Sequence, residues 1–313
     1  MQSCIHNVFV VKFPSVIKMS KQLKGSLSII LATVIWGSTF VAQSVGVDHV
    51  GPFTFLSIRC FLAVFALLLV LFLRSRKDFL KILCDPRLWK AGIPCGIALF
   101  AATALQQIGL IYTTAGKGGF ITTMYIILVP IFGLFLKQKS PKMVGISVVI
   151  AAIGLYLISG AGFTAINIGD VLMLLCAVAF AVQILIMDRV AGELNSMALN
   201  MAQALVCAVI SGVCALFFDT TTWQGILDCR FPLCWAGIMS MGIAYTLQIV
   251  GQKAIEPTTA SLLMSFESVF AAISGALLLN ESFTLTEGIG CALVFAAIML
   301  TQIPIKNRKK APK

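Results

Sequence analysis

Arg59 and Glu267 are the two formal charges that fall well inside long apolar runs of this chain. A charged side chain at the middle of a membrane helix costs about 2.5 to 3.5 kcal/mol, so such groups face a bundle interior or water and usually have a partner. Two chemistries follow. The two residues could hold helices in register, as an ion pair or through backbone bonds. Alternatively, Glu267 could take a cationic group or a proton during a transport cycle. Neutral polar residues accompany them at helical spacing. Thr103, Gln106 and Gln107 lie within one turn, as do Tyr245 and Gln248, with Gln252 one turn further on; Asn200 and Gln203 form a shorter stripe. Residues three or four apart share a helix face. Any single glutamine is explained equally well by interhelical hydrogen bonding, worth about 0.6 to 2 kcal/mol in a membrane. Several stripes at one depth read instead as the wall of a polar cavity.

Those side chains need a membrane bundle to position them. The composition, 59% hydrophobic and 11% charged, excludes an ordinary soluble domain, in which about a quarter of residues are charged. Ten apolar runs are expected to cross the bilayer, at 27–46, 52–73, 90–112, 117–136, 143–160, 169–188, 197–218, 232–252, 258–279 and 285–304. Each is close to the roughly 20 residues that span about 30 Å of hydrocarbon. Pro52, Pro141, Pro232 and Pro257 punctuate boundaries, whereas Pro94 and Pro130 lie inside spans, where a kink or break is expected. The first run is too long for a cleavable signal peptide and lacks a small-residue cleavage site. Met19 makes a natural start before it, so residues 1–18 are expected to be an upstream artefact.

The chain also repeats itself. A shift of 142 places Leu105-Gln106 on Leu247-Gln248, Gly109 on Gly251, Thr103 on Tyr245, Tyr125 on Glu267 and Gly133 on Gly275. The earlier spans align with a shift of about 144, Trp36 on Phe180, Thr39 on Gln183 and Arg59 on Gln203. Five spans per copy is an odd number, so the second copy must enter the membrane inverted. The expected fold is therefore all-α and integral to the membrane: ten transmembrane helices as two inverted five-helix repeats around a central cavity. The expected divisions are an N-terminal segment 1–24, repeats over 25–160 and 161–304, and a basic tail 305–313.

Loop charges set the orientation. Lys21, Lys24, the 74–90 loop with Arg74, Arg76, Lys77, Lys81, Arg87 and Lys90, then Lys137, Lys139, Lys142 and the lysine-rich tail fall on one face, the basic face. Asp48, Lys117, Asp170, Asp219, Asp228, Arg230, Glu281 and Glu287 fall on the other, the acidic face. The positive-inside rule then puts both termini in the cytoplasm of a bacterial-type plasma membrane.

Several other chemistries lack their residues. No G-x-x-x-x-G-K-[ST], H-E-x-x-H or G-x-S-x-G motif occurs. Both histidines, His6 and His49, lie outside the spans, which removes the commonest acid–base group and metal ligand from the interior. No metal, cofactor or enzymatic activity is expected. The net charge of +11 is spread over loops and termini rather than gathered in a patch, which argues against nucleic acid. The ten cysteines form no CxxC pair, and Cys229 and Cys234, flanking one external loop, read first as two unrelated thiols, with pairing open to them in an oxidising compartment. Gly92 and Gly96 read as close packing within the subunit; a homodimer stays open. Lys117 among glycines reads as a tight external turn rather than a phosphate cradle.

Taken together, the segments Ile35-Trp36-Gly37-Ser38-Thr39-Phe40, Leu56-Ser57-Ile58-Arg59, Val129-Pro130-Ile131-Phe132-Gly133 and Glu267-Ser268-Val269-Phe270-Ala271 resemble the EamA-type ten-helix branch of the drug/metabolite transporter superfamily. The resemblance extends over residues 24–304. It implies cavity roles for Trp36, Thr39, Gln106, Gln107, Tyr125, Gln183, Tyr245, Gln248 and Glu267, with Arg59 as a structural or coupling charge. It also implies a secondary transporter that moves amino acids or related amphipathic solutes outward by alternating access, with the lipid bilayer as surroundings and a proton or ion as coupling partner. One departure stands out: Ser268 follows Glu267 where the family often has proline, which puts a proline-dependent kink of the ninth span in question. The runner-up is a membrane-embedded lipid-modifying enzyme. It would need paired carboxylates, histidines or a metal cluster at the interface, and the sequence offers none of these.

Overall fold

In the computed structural model, the structure describes residues 20–113, 115–136, 142–158, 167–192, 194–278 and 284–302. The described residues fold into ten principal helices: α1 Lys21–Val47, α2 Pro52–Arg74, α3 Pro86–Gly109, α4 Ala115–Phe135, α5 Lys142–Ile158, α6 Ile168–Val190, α7 Ser196–Phe218, α8 Arg230–Gln252, α9 Pro257–Leu278 and α10 Leu285–Gln302. Eight of them are long and apolar enough to cross a membrane; α5 and α10 contribute the shorter apolar stretches Val144–Leu157 and Gly288–Leu300. Residues 1–19 and 303–313, and with them the Met19 start and the basic tail, lie outside the described residues, as do Lys137, Lys139, Pro141 and Glu281.

The helix starts follow from local chemistry. Proline opens α2, α3 and α9, where its missing N–H is unneeded. Ser20 caps α1 and Asn195 caps α7, while Asn167 and Asp170 form a reciprocal capping box at α6. Such caps satisfy donors that the first turn leaves open. Large apolar side chains such as Phe65, Leu134, Phe135, Leu216, Phe217 and Leu277 point outward. In a bundle this apolar, that surface faces lipid.

The packing has the symmetry that an inverted repeat requires. Renumbering each helix by five maps the contacts onto themselves. The α1–α9 contact is mirrored by α6–α4, α3–α6 by α8–α1, and α3–α7 by α8–α2, while α2–α7 and α5–α10 are their own images. The helix interruptions obey the same rule. α4 is broken at Thr123-Met124 and α9 at Ser265, in each case after an eight-residue first segment, Ala115–Thr122 and Pro257–Met264. Neither prolyl residue breaks its helix: α3 runs on through Pro94 and the second segment of α4 through Pro130. The missing proline at Ser268 likewise costs α9 nothing, because its break lies three residues earlier. The halves differ in α8, which is π-helical over Trp235–Ala244. Its counterpart in α3 is the stretch around Pro94. Cys229 is buried and Cys234 exposed, and both thiols are free.

Candidate central cavity

The two breaks lie against each other. Thr123 Oγ1 is 2.8 Å from Ser268 Oγ, and Ser268 Oγ donates to the Gly119 carbonyl at 3.1 Å. Tyr125 and Glu267 each fall in the first turn of the segment that follows the break. Broken helices of this kind, meeting between inverted halves, are where transporters build binding sites. Both side chains line a central cavity with Trp36, Thr39, Phe40 and Gln43 from α1, Arg59 from α2 and Gln106 from α3. Phe180 and Ile184 from α6, Ser240, Tyr245 and Gln248 from α8, and Met264 complete the wall.

Eight of the ten residues singled out from the sequence meet here: Trp36, Thr39, Arg59, Gln106, Tyr125, Tyr245, Gln248 and Glu267. Gln107 and Gln183 stand one layer behind. Gln107 Nε2 donates to the Gln43 carbonyl at 3.3 Å. Gln183 accepts from Gln248 Nε2 at 3.3 Å and donates to Gln203 Oε1 at 3.2 Å. Gln43 and Ser240 line the cavity but carried no sequence signal. The 144-residue shift puts Met187 opposite Gln43, so the repeat gives no hint of it. Ser240 sits in the π-helical stretch, where the usual helical spacing fails.

Two polar chains support the wall. Arg59 Nη1 donates to Gln43 Oε1, and Gln43 Nε2 donates to Gln106 Oε1 at 3.3 Å. In the other half, Gln248 leads to Gln183, Gln183 to Gln203, and Gln203 Nε2 to Asn200 Oδ1 at 3.0 Å. Asn200 Nδ2 ends that chain on the Met241 carbonyl at 2.8 Å, the Gly242 carbonyl at 2.9 Å and Thr246 Oγ1 at 2.9 Å. Aromatic rings close the remaining sides: Trp36 meets Tyr245 edge-on at 5.0 Å, and Tyr125 meets Phe180 at 6.4 Å.

The two intramembrane charges share the cavity without pairing. The Glu267 carboxylate faces the Tyr125 hydroxyl and has no arginine or lysine within ion-pair distance among the described residues. Arg59 is 2% exposed, its guanidinium lies 5.8 Å from the Phe55 ring centroid, and its Nε has no partner. Trp36 Nε1 and Gln248 Oε1 are also buried without partners. Buried polar groups are normally satisfied, so donors and acceptors left open around one hollow mark a place for water or a polar solute. The space open to water centres is about 40 Å³, and one water needs about 10–15 Å³ on that measure. That is room for a few waters.

Residues 23–160 and 167–303 each match the EamA-like transporter family. With both five-helix halves matched, the chain belongs to that family and is a multi-pass membrane protein of the transporter class. It is 31% identical over 288 residues to a protein of Archaeoglobus fulgidus named "Uncharacterized transporter", covering 91% of this chain and 88% of the relative. It is 23% identical over 302 residues to the "Uncharacterized transporter YoaV" of Bacillus subtilis, covering 92% and 99%. A solved crystal structure superposes with a TM-score of 0.75 at 18% identity, over 90% of this chain and 97% of the other. That last likeness bears on the fold alone.

Proposed function

We propose that the chain is a secondary transporter that carries small amphipathic metabolites, amino acids or close relatives, outward across the plasma membrane by alternating access. The observation that supports this best is the set of open polar atoms on Arg59, Trp36 and Gln248 around one cavity between inverted halves. A cation and an anion that face the same hollow without neutralising each other suit a solute carrying both an acidic and a basic group. The rings of Trp36, Tyr125, Phe180 and Tyr245 suit its apolar part. Glu267 takes the amine, or a proton on the return step. Both termini are on the cytoplasmic side, where the basic loops would lie.

The test is flux of labelled amino acids in vesicles reconstituted with purified protein, comparing the native chain with Glu267→Gln. Transport should fall at least tenfold in the variant, and the remaining flux should lose its dependence on a pH gradient. Equal flux and equal pH dependence in the two proteins would remove Glu267 from the mechanism. Flux no higher than in protein-free vesicles, across the solute panel, would remove the transport assignment.

A further inference from the structure

The two amide chains carry a direction. A side-chain amide has an oxygen that only accepts and a nitrogen that only donates, so a row of them passes on one sense of donation, and the group that anchors the row decides which. In the first half the anchor is the Arg59 guanidinium, which can only donate. It donates to Gln43 Oε1, which commits Gln43 Nε2 to Gln106 Oε1 at 3.3 Å. Gln106 is left with its Nε2 to offer the cavity it lines. In the second half the anchor is the backbone of α8. The Met241 and Gly242 carbonyls can only accept, and Thr246, whose own hydroxyl donates to the Gly242 carbonyl at 2.7 Å, accepts as well. They hold Asn200 Nδ2, so Asn200 Oδ1 takes Gln203 Nε2, Gln203 Oε1 takes Gln183 Nε2 and Gln183 Oε1 takes Gln248 Nε2. Gln248 is left with its Oε1, buried and without a partner.

Positions 106 and 248 are therefore the same place in the repeat with opposite polarity. The other open groups on the wall divide in the same way. Arg59 Nε and Trp36 Nε1, both donors, belong to the first half with Gln106, whereas the Glu267 carboxylate belongs to the second with Gln248. The hydroxyls of Tyr125, Tyr245 and Ser240 can act either way. Turning over Gln106 would set its Nε2 against Gln43 Nε2, and turning over Gln248 would set its Oε1 against Gln183 Oε1. Each leaves buried polar atoms unmet, which costs more than a made bond gains.

We infer that Gln106 and Gln248 set the orientation of the bound solute: its carboxylate lies against the first half, on Gln106 Nε2 and Arg59, and its ammonium against the second, on Gln248 Oε1 and Glu267. This rests on the amino-acid assignment above and adds to it which end of the solute meets which half. A diacid or a diamine meets one set of wall groups of its own kind and is turned away. Loss of the Asn200 anchor alone leaves both directions open to the second chain. About half the molecules then keep the native one, and apparent affinity falls about twofold.

The experiment reads binding rather than flux. Each of the twenty standard α-amino acids is titrated calorimetrically into the purified full chain in detergent. The tightest binder is then compared with its decarboxylated amine, which has no carboxylate, and its des-amino acid, which has no ammonium. Gln106→Met should weaken the amino acid and the des-amino acid about fivefold each, as loss of one hydrogen bond does, and the amine less than twofold. Gln248→Met should weaken the amino acid and the amine about fivefold and the des-amino acid less than twofold. Should a methionine variant not elute as folded protein, asparagine at that position, which keeps an amide but withdraws it from the cavity, takes its place with the same pattern expected. The reverse pattern, no loss with either variant, or equal losses with all three probes, as a glutamine serving only to hold helices together would give, would each overturn the orientation while leaving amino-acid binding in place. No binding of any amino acid to the native chain would remove the amino-acid assignment and the orientation with it.

Discussion

The two polar chains behind the cavity are built on the same plan and end differently. In the first half, α2, α1 and α3 contribute Arg59, Gln43 and Gln106; in the second, α7, α6 and α8 contribute Gln203, Gln183 and Gln248. The second chain runs on to Asn200, which spends its amide N–H groups on carbonyls of the π-helical stretch and on Thr246. The first ends on a guanidinium with an N–H unmet at the cavity wall. One arrangement is therefore anchored inside the protein and presents only the neutral Gln248 Oε1 to the cavity, and the other holds a charge ready for something outside the protein. The difference shows how an internally symmetric fold acquires a polar solute site: the helices stay paired, and the end group of one chain is changed. Tyr125 and Glu267 follow the same logic, a neutral and a charged residue on matched positions after matched breaks.

The strongest way to break this comparison is Arg59→Gln, which gives the first half the end group of the second. Solute transport should fall about a hundredfold, the loss of a charge-assisted contact worth about 2 to 3 kcal/mol. Thermal stability should hold or rise, because a buried, incompletely satisfied charge is replaced by a neutral amide. A variant that unfolds would instead make Arg59 a structural residue. Asn200→Ala attacks the other chain and should show the opposite profile. Removing the two N–H donors that Asn200 shares among these acceptors should destabilise the protein by about 1 to 3 kcal/mol, read as a lower Tm in detergent, while the apparent solute affinity of the folded fraction changes less than threefold. If Asn200→Ala cuts transport as deeply as Arg59→Gln, the division into scaffold and site fails.

Much of this architecture was legible in the residues because membrane helices carry few polar groups, and the rare ones must be in register for an inverted repeat to share a cavity. Tyr125 and Glu267, Gln106 and Gln248, Gly109 and Gly251 all align in the sequence itself, and the helix ends agree with the apolar runs to within a few residues except at α1, which starts six residues earlier, at Lys21. What failed to show were polar wall residues without a polar counterpart in the other half, and the helix breaks. Gln43 has a methionine as its partner position, and Ser240 lies where the helical phase changes. The breaks in α4 and α9 occur at Thr123 and Ser265, whose hydroxyls return to the Phe120 and Leu262 carbonyls, rather than at a proline. Sequence spacing marks proline as a breaker, but not a threonine or serine whose hydroxyl bonds back to the preceding turn.

The glutamine pair at 106 and 107 offers the finest test, since a polar stripe alone cannot say which of two neighbours faces the hollow. Adjacent residues point about 100° apart on a helix of 3.6 residues per turn. Here Gln106 is on the cavity wall, and Gln107, fully buried, points to the Gln43 carbonyl with its own Oε1 unmet. Gln107→Leu removes one long hydrogen bond together with one unsatisfied acceptor of similar cost, while the Gln43 carbonyl remains within the α1 helix. Its effect on transport should stay within twofold and its Tm should be unchanged or slightly higher, whereas Gln106→Leu should weaken apparent solute affinity about fivefold through loss of the Gln43 contact. Equal effects at the two positions would mean that the stripe acts as interhelical glue throughout, and that the open donors around Arg59 serve water rather than a transported solute.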